Sequence, residues 1–160
     1  MPRFGSRARS DPFWPRVVSK AMGGWDIEIS DDASDADTAE LRDALHEYNF
    51  ASTGYRDGLA LSCFLRDEGR LVAGVDGFTW GGYARIDVLW VDEPLRRQGV
   101  GRALLAAAEA EARRRGCKTI VLDTHSFQAP DLYPALGYEK VGETLETPVG
   151  HSQVMFQKDL

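Results

Sequence analysis

The sequence predicts an α/β protein, α+β-like in its mixed sheet, with antiparallel hairpins first, then a βαβ crossover and a C-terminal hairpin. Three observations predict it. Stretches 59–65, 71–80 and 84–91 read as strands separated by the turn formers Asp67-Glu68-Gly69-Arg70 and Gly81-Gly82. A helical stripe of Val100, Ala103, Leu104, Ala107 and Ala108 follows and stops at Gly116. Lys118–Thr124, centred on Ile120-Val121-Leu122, then reads as the buried strand that closes the crossover.

The other elements fall around this frame. Trp25-Asp26-Ile27-Glu28-Ile29 alternates apolar and acidic residues, as a half-buried strand does. Ser34, with Asp37 three residues on, marks a helix start; Leu41, Ala44, Leu45 and Tyr48 supply its buried face, and Asn49 and Gly54 mark the loop after it. Leu59, Leu61, Cys63 and Leu65 alternate along the second strand. In strand 84–91, Ile86, Val88 and Trp90 share one face, and Arg85, Asp87, Leu89 and Val91 the other. Arg113-Arg114-Arg115 suits the negative end of the crossover helix. Residues 129–136 read as a short helix that begins beside Pro130 and ends at Gly137, before two strands around 138–142 and 152–157.

With 160 residues, 43% hydrophobic and 28% charged, the chain suits one domain with a real core and excludes a fibre or a disordered segment. No apolar run approaches the roughly 20 residues that span a bilayer, so no membrane partner is expected. The formal net charge of −6 is unevenly spread. Residues 1–24 carry Arg3, Arg7, Arg9, Arg16 and Lys20 against Asp11, a net of +4, which leaves −10 for the rest. An acidic body repels phosphate backbones and argues against a nucleic-acid partner; it suits a cationic ligand such as an amine. Cys63 and Cys117 form no CxxC, and they read as small core residues of a cytoplasmic protein. Residues 1–24, with Pro2, Pro12, Pro15 and no apolar period, read as a loose basic arm or extension; Met22 offers an alternative start, and 25–160 is the single domain.

One segment carries chemistry. Arg96-Arg97-Gln98-Gly99-Val100-Gly101-Arg102 lies between a predicted strand and a predicted helix. Consecutive N–H groups at a helix N-terminus attract an anion, Gly99 and Gly101 let a phosphate approach the backbone, and the three arginines add charge. The competing role is a plain helix start with solvated arginines. A dinucleotide fingerprint fits poorly, since Leu104 stands where the third glycine belongs and the motif follows a hairpin meander.

Residues 25–160 resemble the GNAT superfamily of acetyl-CoA-dependent N-acetyltransferases. Val91 to Gly101 is similar to the family's coenzyme A motif, R/Q-x-x-G-x-G/A, and Ala129 to Tyr138 to its A-x-x-x-Y-x-x-x-G-F/Y segment. The resemblance implies a GNAT-type fold and acetyl-CoA as cosubstrate. It places the pyrophosphate on the amides of Arg97, Gln98, Gly99, Val100, Gly101 and Arg102, with Arg96 beside them. It lays the pantetheine arm along the backbone of Leu89, Trp90 and Val91, in a splay of the fourth strand. Ser126 takes the place of an asparagine that often contacts the cofactor, seven residues before the motif tyrosine. The resemblance also puts Tyr133 at the general-acid position, where a phenol would protonate the leaving thiolate; packing in the core is its competing role.

The acceptor amine needs a base, because holding a lysine-like amine neutral at pH 7 costs about 4 to 5 kcal/mol. Asp87, on the face shared with Leu89 and Val91, is the candidate, with an ion pair to Arg85 as the competing role. His125, just past the fifth strand, is an alternative base; His151 is a candidate for the acceptor pocket wall and His46 a surface residue. No histidine spacing suits a metal, and none is expected. Family members differ most around 41–58 and 143–152, so Tyr48, Asn49, Tyr55, Arg56 and Asp57 are pocket candidates on polarity. The expected activity is acetyl transfer to the primary amine of a small molecule by direct attack. A peptide or protein amino group and a non-catalytic acyl-CoA-binding module are the alternatives. The last strands are candidate pairing edges for a homodimer, and deleting residues 1–21 is expected to leave acetyl-CoA binding intact.

Overall fold

Tight turns set the register of the sheet. At the first, Glu68 and Gly69 take φ of 47° and 82°; at the second, Gly81 and Gly82 take 55° and 82°. Positive φ at both central residues matches the twist of a two-residue hairpin, which is why these sequences turn. The computed structural model describes residues 32–160 without a break, together with Ser19, Lys20, Gly24, Asp26, Ile27 and Ser30. Two compact units are distinguished, residues 1–48 and 49–160.

In the first unit, β1 (Ser19–Lys20) pairs antiparallel with β2 (Asp26–Ile27). The strand expected at Trp25–Ile29 is thus present at Asp26–Ile27; Trp25, Glu28 and Ile29 lie outside the described residues. It belongs to a separate two-stranded sheet rather than to the large one. Helix α1 (Asp35–Thr53) starts where expected: Ser34 Oγ accepts from the Asp37 N–H at 3.0 Å and donates to its carboxylate at 2.6 Å. It runs past Asn49 and ends before Gly54, at φ 78°. The expected buried face does not form, because Leu41, Ala44, Leu45 and Tyr48 are all exposed. Four such residues among Asp37, Glu40, Arg42, Asp43 and Glu47 make a narrow stripe, narrower than a core-facing helix carries.

The second unit holds a seven-stranded sheet. Its first edge is one broken strand: β3 (Leu59–Ala60) and β4 (Cys63–Asp67) both pair with β5 (Arg70–Trp80), interrupted at Leu61 and Ser62. Only Leu61 of the expected alternating set is fully buried; Leu59 and Leu65 face solvent. β5 pairs antiparallel with β6 (Tyr83–Val91). Helix α2 (Val100–Arg114) then crosses to β7 (Thr119–His125), which lies parallel to β6. β9 (Ser152–Asp159) inserts between β7 and β8 (Glu139–Leu145), leaving β8 on the edge. The residues expected to form a helix at 129–136 form two 3₁₀ turns, Pro130–Leu132 and Pro134–Leu136, because Pro134 cannot donate in a continuous helix.

Strand β6 departs from strict alternation. Asp76 pairs with Val88 but Gly77 with Ile86, so Asp87 is an extra, bulged residue. Gly77 permits the close approach, since a Cβ there would collide with the Arg85 carbonyl. Beyond the bulge the faces swap. Ala84 and Ile86 point into the core before it; Leu89 and Val91 do so after it, while Val88 and Trp90, expected beside Ile86, turn outward.

The core lies between the sheet and α2. Leu104, Leu105, Ala108 and Ala112 of the helix pack with Ala73, Val75, Ile86, Ile120, Leu122 and Phe156. The buried stripe is rotated from the expected one, so that Ala103 and Ala107 are exposed and Leu105 and Ala112 are buried. Each buried leucine contributes about 1.5–3 kcal/mol. Glu109 is buried with them, and its carboxylate accepts from Lys158 Nζ at 2.8 and 2.9 Å and from the Tyr138 hydroxyl at 3.1 Å. These bonds satisfy a charge that would otherwise be costly to bury. Burial, and after it the charge and hydrogen bond of Glu109, push the Tyr138 phenol well above its ordinary range.

Candidate active site

The site begins where two parallel strands part. β6 pairs with β7 only from Tyr83↔Thr119 to Ile86↔Leu122. Both strands continue: β6 keeps β5 beside it as far as Val91, and β7 keeps β9 as far as His125. The edges that face each other across residues 87–91 and 123–125 are therefore free of ladder bonds, beginning at the Asp87 bulge. A ligand with amide groups can complete them as a strand would.

The loop after β6 is held by its own side chains. Asp92 accepts from the Glu93 N–H at 2.9 Å and from Arg70 Nη1 at 3.1 Å. Arg96 Nε donates to the Val91 carbonyl at 3.0 Å, and Gln98 Nε2 to the Pro94 carbonyl at 2.6 Å. Of the three loop arginines, Arg96 thus anchors the loop to the strand end. Arg97 and Arg102 are exposed and have no ion-pair partner among the described residues. Arg97 and Gly99 take φ of 60° and 86°, and Gly99 caps α2 without a side-chain hydrogen bond. The first N–H groups of the helix, on Val100, Gly101 and Arg102, are left to whatever binds there. Gly101 sits beside Leu132 and Val91, so this helix end abuts both the strand opening and the tyrosine turn.

The candidate catalytic residues lie on opposite faces of the sheet. Arg85 Nε donates to Asp87 Oδ1 and its Nη2 to Asp123 Oδ1, each at 2.7 Å, and Gln153 Nε2 donates to Asp123 Oδ2. The Arg85–Asp87 ion pair open to the sequence is therefore present, but as part of a larger cluster that joins three strands. Tyr133 is on the core side, packed on Phe156 at 5.3 Å and edge-on to Tyr138 at 5.9 Å. Burial raises its phenol above the ordinary value, and a hydrogen bond with the Thr124 side chain opposes this. The phenol stays protonated at neutral pH, as a proton donor must. Ser126, expected near the cofactor, is engaged in the last hairpin: its hydroxyl accepts from the Ser152 N–H at 3.1 Å.

Two of the acceptor-pocket candidates, Tyr55 and Asp57, lie against the β5–β6 turn. Asp57 Oδ1 accepts from the Gly81 N–H at 2.9 Å, and the Tyr55 carbonyl from Trp80 Nε1 at 3.1 Å. These residues buttress the β5–β6 turn, at the far end of β6 from the opening, because that turn needs an outside acceptor. Three residues that sequence reasoning passed over belong to the site region: Asp123, Gln153 and Phe127. Asp123 meets Arg85 across 38 positions of sequence, a pairing that no local pattern signals. Among the described residues no three His, Cys, Asp or Glu side chains converge as a metal site would require.

The profile described as the Acetyltransferase (GNAT) family matches residues 26–138. The chain belongs to the GNAT family. Its members use acetyl-CoA, and the chain is an acetyltransferase with the family's mixed α/β fold. It is similar to an acetyltransferase of Agrobacterium fabrum, 34% identical over 132 residues, 81% of this chain and 96% of that one. It is also similar to the blasticidin-S acetyltransferase of Streptomyces morookaense, 35% identical over 95 residues, 59% of this chain and 70% of that protein. A solved acetyltransferase of Agrobacterium tumefaciens superposes with a TM-score of 0.80 at 32% identity, covering 85% of this chain and all (100%) of that chain.

Proposed function

We propose that this GNAT enzyme, with residues 25–160 as its catalytic domain, transfers the acetyl group of acetyl-CoA to the primary amine of a small molecule by direct attack on the thioester. One observation carries the reading. The parting of β6 and β7 opens directly onto a helix N-terminus where Arg97 and Arg102 have no ion-pair partner among the described residues. An elongated ligand with amides at one end and phosphates at the other suits that sequence of groups. The residues present fit coenzyme A: the backbone of Leu89, Trp90 and Val91 borders the pantetheine, and Gln98, Gly99, Val100, Gly101 and the arginines hold the pyrophosphate. Ser126, directly after β7, would meet the thioester end.

The acidic body favours a cationic acceptor, and the similarity to a blasticidin-S acetyltransferase favours a small one. Asp87 and Asp123 outnumber Arg85 on the outer face and orient the ammonium there. Tyr133, protonated and buried across the opening, supplies the thiolate's proton. Thiol release from acetyl-CoA, followed across small amines and peptides, tests the reading. Turnover is expected with small primary amines above all. Turnover on peptides alone would reassign the acceptor, and binding without turnover on any acceptor would make the chain a binding module. Tyr133→Phe is expected to lower kcat about 10²-fold; unchanged turnover in both Tyr133→Phe and Asp87→Asn would remove the site assignment.

A further inference from the structure

We propose that His125 takes the proton from the acceptor's ammonium, through Nε2. The inference rests on the acetyltransferase reading above and names the base that the reading needs. His125 ends β7, opposite Gln153 on β9, at the strand that borders the opening. Its Nδ1 lies 3.0 Å from the Thr147 carbonyl oxygen. A carbonyl only accepts, so Nδ1 carries the proton of the neutral ring and Nε2 holds the lone pair. The ring plane is held as well. Phe127 stacks on it at 5.1 Å with planes 8° apart, and His151 closes edge-on against Phe127 at 4.9 Å.

Strand alternation puts His125 on the same face as Asp123, two residues earlier, and so beside the cluster that orients the ammonium. The carboxylates of that face are both paired with Arg85. Asp87 Oδ1 accepts from Arg85, and both Asp123 oxygens accept, one from Arg85 and one from Gln153. Nε2 has no hydrogen-bond partner among the described residues. The titratable and charged groups on the surrounding elements include Arg85 and Asp87 on β6, Asp123 on β7, Glu143 on β8, and Glu146 and His151 in the β8–β9 loop.

The step balances. The ammonium gives one proton to Nε2, and the freed nitrogen lone pair forms a bond to the thioester carbonyl carbon. The carbon–sulfur bond then breaks, sulfur leaves with the electron pair and receives a proton from Tyr133. The second proton of the nitrogen replaces the one that Tyr133 gave, and the imidazolium releases its proton to water.

Two measurements on the full chain test this. Nitrogen-15 NMR of the histidine rings is expected to show His125 as the Nδ1–H tautomer with Nε2 unprotonated; the Nε2–H tautomer overturns the proposal. His125→Asn keeps a donor for Thr147 but has no base. With the best amine of the panel it is expected to lose about 10²-fold or more in kcat/KM. The acid limb of the pH profile should vanish with it, while the KM for acetyl-CoA stays within twofold. An unchanged rate and acid limb overturn the proposal and leave the acetyltransferase reading standing. A wild type that turns over no acceptor sinks both.

Discussion

Helix α2 is finished differently at its two ends. At the C-terminal end the protein satisfies its own groups. Gly116, at φ 81°, donates to the Arg113 carbonyl and Cys117 to that of Ala112, a complete Schellman cap. Arg115, braced by Glu111 of the same helix at 2.7 Å, then ties the helix to the sheet through the Ala60 carbonyl at 2.8 Å and Thr79 Oγ1 at 3.1 Å. At the N-terminal end, Gly99 offers no side-chain cap, and Arg97 and Arg102 reach no partner among the described residues. One end is closed by the protein's own groups and the other has its first N–H groups uncapped by any side chain. Mutations at the two ends should therefore separate into binding and folding effects.

The largest effect is expected from Arg97→Ala with Arg102→Ala. Loss of two charge-assisted phosphate contacts should raise the KM for acetyl-CoA about 10- to 100-fold with little change in Tm, as steady-state kinetics and calorimetry will show. Arg115→Ala should do the reverse. It removes a charged group from several hydrogen bonds, costs about 2 kcal/mol and lowers Tm by roughly 4–8 °C, while the KM stays within twofold. Gly101→Ala sharpens the contrast within one residue. A Cβ there meets Leu132 and Val91 only at ordinary contact distances, 3.8 and 3.9 Å. Helix propensity alone should raise Tm by about 1–4 °C, while a phosphate against the backbone should make the KM rise several-fold. A Tm gain with an unchanged KM would place the ligand elsewhere.

The smallest effect concerns acid. Hydrogen bonds from Arg114 and Arg115 hold the Glu111 carboxyl down to about 2, against an ordinary value of 4.5. The folded state thus binds this proton more weakly than the unfolded state does. Its stabilisation is complete above about pH 4.5 and is lost as the pH falls towards 2. Melting curves of Glu111→Gln should accordingly fall less steeply across that window than those of wild type.

What was legible in the sequence follows the range of the forces involved. Ser34 with Asp37, Gly69, Gly81-Gly82 and Gly116 act on neighbours within a few residues, and each was readable. The loop from Arg96 to Arg102 was readable for the same reason, since a strand, two glycines and a helix start are consecutive. The bulge at Asp87 was not, because it is set by Gly77 on the partner strand, and it exchanges Val88 and Trp90 for Leu89 and Val91. Nor could alanines report the rotation of α2, since Ala103 and Ala112 look alike until the sheet buries one of them. The buried Glu109 and the Arg85–Asp123 pair depend on contacts across 49 and 38 positions.

Hydrogen exchange with and without coenzyme A tests the contrast between the helix ends most directly. The account predicts slowed exchange at the amides of 87–91 and 97–103 and no change at 112–117. Equal protection at both ends of α2, or none at its N-terminal end, would contradict it.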